Sequence, residues 1–185
     1  DDLIIFTPTI GLHLEILGDL FKRLNRAGLT LSPKKCKFFQ SAAHFLGHVI
    51  DQNGVHPDPD KVRAIEAIQL PTTAKELKSV VAQIGYYRKF CANFSKITEP
   101  PRAKMDSKSE WTELVDGLPV YTDEQRSAFF TIRDLISTEP VLAHPDFNVP
   151  FEVHTDASRK GLGATICQKQ AGVERVVQFA SRALT

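Results

Sequence analysis

The chain has 185 residues, of which 42% are hydrophobic and 24% are charged, and its formal net charge is +1. This composition fits one or two small globular domains, and no apolar run is long enough to cross a membrane. Residues 1–105 carry 15 Lys and Arg against 10 Asp and Glu, whereas residues 106–185 carry 8 against 12. The basic first part suggests a polyanionic partner, and the change near residue 105 suggests a domain boundary.

Two adjacent carboxylates, Asp1 and Asp2, open the chain directly before the apolar run Leu3–Phe6, which is predicted to be a strand. A divalent cation commonly stabilises such a pair in phosphoryl-transfer enzymes, because hard cations take oxygen ligands. Taken alone, the pair is also compatible with an exposed acidic turn. The first residues carry no initiator Met or signal peptide, so we expect the chain to be a piece of a longer protein.

A helix is predicted from about residue 12 to residue 27, ending at Gly28, with an apolar face made by Leu17, Leu20, Phe21 and Leu24. A hairpin follows over residues 45–57, because a turn signal at 51–54 separates two apolar segments. Helices are then predicted after Asp58, after the capping box at Thr73, and over residues 95–104. Residues 105–121 lack periodicity and are expected to form a loop around Trp111.

The last third of the chain begins with a helix and ends in strands. Thr122 and Gln125 form a capping box for a helix that stops before Pro140. From Pro150 the hydrophobic period changes to two, which predicts a three-stranded antiparallel meander over residues 151–156, 161–168 and 173–179. Asp156 is expected at the end of its first strand.

The motifs placed on these elements resemble the Pol polyprotein of gypsy-type LTR retrotransposons, in that family's order and spacing over nearly the whole chain. They are Asp1-Asp2-Leu3-Ile4-Ile5-Phe6, Leu29–Phe38, Phe45-Leu46-Gly47-His48-Val49-Ile50, Gly85-Tyr86-Tyr87-Arg88-Lys89-Phe90, Pro140-Val141-Leu142, Thr155-Asp156-Ala157-Ser158 and Phe179-Ala180-Ser181-Arg182. The resemblance implies an α/β (α+β) fold in four parts. These are the C-terminal part of a reverse transcriptase palm with its primer-grip hairpin (1–57), a helical thumb (58–105), a connection (106–149) and a truncated RNase H-like domain that opens with the meander (150–185).

The resemblance also implies RNA-directed DNA synthesis and RNase H cleavage in the parent protein, by two-metal phosphoryl transfer with Mg²⁺ or Mn²⁺. Asp1 would be a metal ligand supported by Asp2, and Asp156 would be the first acid of the RNase H site. Glu152 lies about four residues along the strand from Asp156, and Glu174 is predicted to lie in a turn, so neither is expected to complete that site. The isolated chain is therefore expected to polymerise nothing and cleave nothing.

The same resemblance points to nucleic-acid contacts at two motifs. Phe45, Leu46 and Gly47 would form the primer grip, where glycine lets the backbone approach a sugar–phosphate chain; the first two are also compatible with a core strand. In the thumb motif, Tyr86, Arg88 and Lys89 are predicted to contact nucleic acid, with the two cations on phosphates. Tyr87 is predicted to belong to the core, because its spacing matches the apolar face of the preceding helix.

The implied partners are a primer–template, an RNA–DNA hybrid, deoxynucleoside triphosphates and the rest of the Pol polyprotein, in a cytoplasmic virus-like particle with a nuclear stage allowed and no membrane. Contacts to the nucleic-acid backbone would be sensitive to salt. The alternative is a non-catalytic nucleic-acid-binding or assembly module from a truncated or domesticated element. That module would lose hybrid binding when Arg88 and Lys89 are replaced, and Asp156→Asn would leave it unchanged.

Overall fold

The computed structural model describes residues 2–107, 111, 114–115, 118–138 and 140–184, so Asp1 lies outside the described residues. The fold mixes helices with antiparallel sheets and includes a three-stranded meander, which confirms the expected fold class. Among the described residues, no helix is both long and apolar enough to span a bilayer.

The described strands form three antiparallel sheets, with orders β1-β2-β3, β4-β5 and β6-β7-β8, and helices precede and separate them along the chain. The helices are α1 (Ile10–Arg26), α2 (Pro59–Glu66), α3 (Ala74–Gly85), α4 (Phe94–Ile97), α5 (Glu99–Asp106) and α6 (Asp123–Ser137). The strands are β1 (Ala43–Phe45), β2 (His48–Asp51), β3 (Gly54–Pro57), β4 (Leu114–Val115), β5 (Leu118–Pro119), β6 (Phe151–Ala157), β7 (Gly161–Gln170) and β8 (Val173–Ala183). A short 3₁₀ turn covers Arg88–Phe90.

The N-terminal segment differs from its prediction. Residues 3–6 do not form a strand, and Phe6 is 90% exposed. A strand needs a neighbour to pair its backbone groups, and none of the described strands lies beside this segment. The predicted α1 does form, but of its expected apolar face only Leu17 is buried, and Phe21 is exposed.

The helix-start signals in the sequence match the structure, and one helix boundary does not. The Thr122 hydroxyl accepts a hydrogen bond from the Gln125 backbone N–H, and the Gln125 side-chain oxygen accepts one from the Thr122 backbone N–H. The predicted capping box is therefore confirmed. The single helix expected over residues 95–104 is instead divided into α4 and α5. Pro100 and Pro101 cause this break, because neither has an N–H to donate to the preceding turn.

The segment around Trp111, which was expected to be a loop, contains the two-residue strands β4 and β5. The Trp111 indole donates to the Lys104 carbonyl at 2.9 Å, and its ring packs edge-on against Tyr121. The buried Lys104 ammonium lies over both rings and donates to the Val120 carbonyl at 2.7 Å. These contacts hold Trp111 between α5 and Tyr121.

The main hydrophobic core among the described residues joins α2, α3 and α4 to α6 and to the meander. These three helices belong to the segment predicted as the thumb, residues 58–105, and we use that name as a label for this segment. The buried residues of the core are Val62, Ile65, Ile84, Tyr87, Phe90, Cys91, Phe94, Ile132, Ile136 and Leu142. Val55 of β3 packs against this core, and so do Val176 and Phe179 of β8. The hairpin and the meander are thus supported by the same interior.

Residues 142 and 143 connect the two sheets by backbone hydrogen bonds. Leu142 and Val55 exchange two of these bonds, at 2.8 and 3.0 Å, and the Ala143 amide donates to the Val176 carbonyl at 2.8 Å. Gly54 permits this close approach, because its φ is +147° and a Cβ there would lie 2.2 Å from the Leu142 carbonyl oxygen. The chain between α6 and β6 therefore joins β3 to β8.

The meander forms as predicted, with β7 paired to both neighbours. Asp156 lies opposite Gly163, and every residue of β6 is exposed. Glu174 was expected in a turn, which is wrong: it is the second residue of β8 and pairs with Lys169. The turn instead consists of Ala171 and Gly172, both with positive φ.

Candidate nucleic-acid interface

The β1–β2 turn carries the residues predicted for the primer grip. Leu46 and Gly47 are its two central residues, with φ of +47° and +70°, and Phe45 pairs with His48 to close it. Two-residue hairpin turns with two positive φ angles favour Asn-Gly, because most side chains are strained in this conformation. Gly47 therefore meets a backbone requirement of the turn itself, which differs from the close approach to nucleic acid expected from the sequence.

Side chains of the thumb hold this turn through hydrogen bonds to the carbonyl groups of the turn. The Tyr86 hydroxyl donates to the Leu46 carbonyl at 2.5 Å, and the Tyr87 hydroxyl donates to the Gly47 carbonyl at 3.0 Å. The Asp58 amide also donates to the Gly47 carbonyl, at 3.1 Å. The two tyrosine contacts join residues that lie 40 positions apart in the chain, and the local sequence pattern does not predict them.

The two tyrosines differ in exposure. Tyr87 is only 4% exposed, which confirms its predicted place in the core, whereas Tyr86 is 53% exposed and packs edge-on against it. Burial raises the pKa of Tyr87, so its hydroxyl keeps its proton and remains a donor at neutral pH. A Cβ at Gly47 would lie 3.2 Å from the Tyr87 hydroxyl oxygen, so the ring also limits what fits at the turn.

His48 lies beneath the turn against the rings of Tyr86, Tyr87 and Phe90, with centroid distances of 5.4, 5.6 and 5.7 Å. Its Nδ1 lies 2.7 Å from the Leu46 carbonyl oxygen, which assigns the proton to Nδ1. Its buried Nε2 has no hydrogen-bond partner among the described residues. Burial and the nearby Lys89 ammonium lower the pKa of His48, so the ring is neutral at neutral pH.

A groove of about 400 Å³ lies between the turn and the thumb, and we call it the hairpin–thumb groove. Its lining residues are Phe45, Leu46, His48, Ile50, Val55, Tyr86 and Lys89. Four residues predicted to bind nucleic acid thus line one groove. Gly47 lies in the adjacent turn, and Arg88 is exposed but does not line the groove. Lys89 is half-buried, and burial lowers its pKa.

Asp156 lies in a second, smaller pocket of about 190 Å³ at the meander. The thumb residue Asn93 also lines this pocket, and its side-chain oxygen would be 3.3 Å from a Cβ at Gly163. The carboxylate of Asp156 is exposed. The pocket therefore places one acid where the meander meets the thumb.

The described residues do not assemble a complete metal site around the predicted ligands. Within the described part of the chain, the one group of three metal-type donors is His154, Cys167 and Glu174, whose donor atoms lie within 4.8 Å of one another. Neither Asp2 nor Asp156 belongs to such a group. Asp2 is exposed, and Asp156 supplies a single carboxylate to its pocket.

The comparisons with known proteins agree with this arrangement of elements. Residues 1–50 match the family model for reverse transcriptase (RNA-dependent DNA polymerase), and residues 121–185 match the model for the RNase H-like domain found in reverse transcriptase. The second match includes α6 as well as the meander. The chain therefore carries reverse transcriptase and RNase H-like segments, two families that generally depend on divalent metal ions.

The relatives of the chain are Pol polyproteins of retrotransposons. It is 35% identical over its whole length to the retrovirus-related Pol polyprotein from transposon 297 of Drosophila melanogaster, and covers 16% of that protein. The corresponding protein from transposon gypsy of the same organism is 32% identical, with 91% of this chain and 17% of that protein covered. The predicted resemblance to gypsy-type Pol is confirmed, and the chain corresponds to a part of such a polyprotein.

Solved structures of reverse transcriptases share the fold. The foamy viral protease-reverse transcriptase in complex with RNA/DNA hybrid is 28% identical with a TM-score of 0.77, and 98% of this chain and 24% of that chain are covered. The same enzyme solved with double-stranded DNA gives 28% identity and a TM-score of 0.76, with 98% and 36% covered.

Proposed function

We propose that this chain holds the sugar–phosphate backbone of a primer–template or RNA–DNA hybrid in the hairpin–thumb groove, as part of a Pol polyprotein that performs RNA-directed DNA synthesis and RNase H cleavage. One observation carries the proposal: residues from two distant motifs, Phe45 and Leu46 in the hairpin and Tyr86 and Lys89 in the thumb, line the same groove. The nucleic-acid complexes of the similar foamy viral enzyme support it.

The chemistry of the groove suits the backbone of a duplex better than its bases. Apolar walls and the half-exposed Tyr86 ring offer a surface for a sugar, and Lys89 offers one positive charge for a phosphate. Arg88 is exposed next to it in the chain and can extend the phosphate contact. Such contacts position a duplex without reading its sequence, and they weaken with salt.

The catalytic part of the proposal concerns the complete polyprotein. There, Asp1 with Asp2 and, separately, Asp156 would hold Mg²⁺ or Mn²⁺, which supplies charge stabilisation for phosphoryl transfer from deoxynucleoside triphosphates or for hydrolysis of the RNA strand. The isolated chain is proposed to be inactive, because the described carboxylates form no metal cluster around Asp2 or Asp156. Its place in a cytoplasmic virus-like particle remains a proposal.

Fluorescence anisotropy with a labelled RNA–DNA hybrid at several salt concentrations tests the binding proposal. Replacing Arg88 and Lys89 by Ala is expected to weaken binding about tenfold and to lower the slope of log affinity against log salt by about two. The matched control replaces Lys22 and Arg23 of α1, an exposed pair of equal charge, and should change affinity less than about twofold. Equal losses in both variants, or no binding by the wild type at low salt, would overturn the proposal.

The non-catalytic module makes a different prediction about Asp156. If Asp156 is a metal ligand in the complete polyprotein, hybrid cleavage by that polyprotein requires Mg²⁺ and is abolished by Asp156→Asn. A purely binding or assembly module cleaves no hybrid, and Asp156→Asn leaves its affinity for the hybrid unchanged. Metal-dependent primer extension by the isolated chain that Asp1→Asn abolishes, or hybrid cleavage that Asp156→Asn abolishes, would contradict the proposed inactivity.

A further inference from the structure

We infer that Tyr86 and Tyr87 are positioning residues whose hydroxyl groups set the conformation of the Phe45–His48 turn, so that the thumb determines how this turn meets a nucleic-acid backbone. The binding part of this inference rests on the proposed function. The conformational part concerns the free protein and stands on the hydrogen bonds alone.

The turn has a weak intrinsic preference for the conformation it adopts. Its central residues are Leu46 and Gly47, and Leu46 lacks the short polar side chain that stabilises a positive φ in Asn-Gly turns. The conformation therefore needs support from outside the hairpin. Tyr86, Tyr87 and His48 provide it, because each places a polar side-chain atom within 3.0 Å of one of the two turn carbonyls.

The two bonds from the tyrosines are held by packing. The Tyr87 ring is buried in the main core, and Tyr86 packs against it with centroids 5.1 Å apart. His48 fills the space below both rings. A hydroxyl carried by a fixed ring loses little freedom when it binds a carbonyl, so the bonds restrain the turn effectively.

This arrangement also orients the amide groups of the turn. In a trans peptide unit the C=O and the following N–H point in opposite directions, and the described chain has no cis peptide bonds. Because the Leu46 carbonyl points toward Tyr86 and His48, the Gly47 N–H points away from the thumb. A donor is thus directed outward, where a phosphate oxygen can accept it, and the carbonyl oxygens that would repel a phosphate are turned inward.

Replacing each tyrosine by Phe tests the inference, because Phe keeps the ring and removes only the hydroxyl. Amide hydrogen exchange at Asp58, whose N–H donates to the Gly47 carbonyl at 3.1 Å, is measured by NMR in the free 185-residue chain, relative to buried amides of α3. In Tyr86→Phe/Tyr87→Phe we expect exchange at Asp58 about tenfold faster and hybrid binding about three- to tenfold weaker than in the wild type.

Tyr121→Phe is the matched control. Tyr121 is 7% exposed and its hydroxyl donates to the Pro71 carbonyl at 2.8 Å, so this variant also loses one buried bond to a backbone carbonyl, but far from the turn. It should leave Asp58 exchange and hybrid affinity within about twofold of the wild type. A general loss of stability would accelerate exchange in both variants alike.

The outcomes separate this inference from the proposed function. If the wild type binds the hybrid and the double Phe variant matches it in both affinity and Asp58 exchange, the positioning role is wrong and the binding proposal stands. If Tyr86→Ala weakens binding but Tyr86→Phe does not, the Tyr86 ring contacts nucleic acid directly and its positioning role is overturned. If the wild type does not bind but Asp58 exchange accelerates in the double Phe variant, the binding proposal fails and the tyrosine restraint is confirmed.

Discussion

The hairpin–thumb groove and the pocket of Asp156 are built in opposite ways. In the groove, the turn is held by buried rings and by side-chain bonds from residues about 40 positions away in the chain. At the meander, Asp156 lies on a strand whose residues are all exposed. The shape of the groove therefore depends on packing in the core, and substitutions in the core should disturb it. The Asp156 pocket depends on one exposed carboxylate, and replacing this group should change the charge of the pocket without affecting the fold.

The largest difference between the two regions is expected from truncating one side chain in each. Phe90 is 3% exposed in the main core, and Val153 of β6 is 61% exposed. Phe90→Ala should lower the free energy of unfolding by about 3–5 kcal/mol, and Val153→Ala should change it by less than about 0.5 kcal/mol. Urea unfolding followed by circular dichroism measures both. A similar loss of stability in the two variants would contradict the difference in burial between the core beneath the groove and the strand that carries Asp156.

The next largest loss of stability is expected where β3 contacts Leu142. Gly54→Ala places a Cβ against the Leu142 carbonyl at a positive φ, so we expect a loss of about 2–4 kcal/mol of stability. Gly28→Ala is the control, because Gly28 also has a positive φ but nothing lies within 4 Å of its Cβ position. It should cost about 1 kcal/mol. If thermal unfolding shows equal losses of stability in the two variants, the close approach of Leu142 to Gly54 adds nothing to the cost of the substitution.

The buried His48 makes the groove region sensitive to pH. Burial and Lys89 hold the pKa of His48 below its ordinary value of 6.5. The unfolded chain therefore takes up this proton at a higher pH than the folded chain, and stability is lost as pH falls below about 6.5. His48→Asn keeps a donor for the Leu46 carbonyl but cannot be protonated, so its stability should fall less between pH 7 and pH 5.

Urea unfolding of both proteins across this pH range checks the prediction. We expect the effect to be smaller than that of Gly54→Ala. If the free energy of unfolding falls equally with pH in the wild type and in His48→Asn, protonation of His48 does not contribute to the pH dependence of stability.

The smallest effect is expected at Asp156. This carboxylate is exposed, so Asp156→Asn should change the free energy of unfolding by less than about 0.5 kcal/mol. Thermal unfolding checks this directly. A large destabilisation would mean that the carboxylate has a structural role, and the loss of hybrid cleavage by the complete polyprotein with this substitution could then no longer be assigned to a missing metal ligand.

Local signals in the sequence predicted the elements that local physics determines. The caps at Asp58, Thr73 and Thr122 do accept the first amides of their helices. The period-two pattern after Pro150 gave the meander with its strands in the right order. These features depend on residues within a few positions of one another, so a single sequence is enough to find them.

Two of the errors are local, namely the helix broken at Pro100 and the turn assigned to Glu174. The others concern features that depend on distant partners. Residues 3–6 have the composition of a strand, but a strand forms only beside another. The resemblance assigned Tyr86 to nucleic acid, and helical spacing assigned Tyr87 to the core. What the sequence did not predict is their bonds to the Leu46 and Gly47 carbonyls, which appear only in three dimensions. The Leu46-Gly47 pair contained one available signal: an unfavourable turn sequence in a tight hairpin indicates support from elsewhere.

Hydrogen–deuterium exchange of the 185-residue chain, with and without an RNA–DNA hybrid, tests most directly whether the hairpin–thumb groove binds nucleic acid. If the hybrid lies in the hairpin–thumb groove, peptides that contain Phe45–His48 and Tyr86–Lys89 should exchange more slowly in its presence, whereas α1 should not change. Protection confined to α1 or to the exposed face of β6, with none at the turn or at Tyr86–Lys89, would contradict the account.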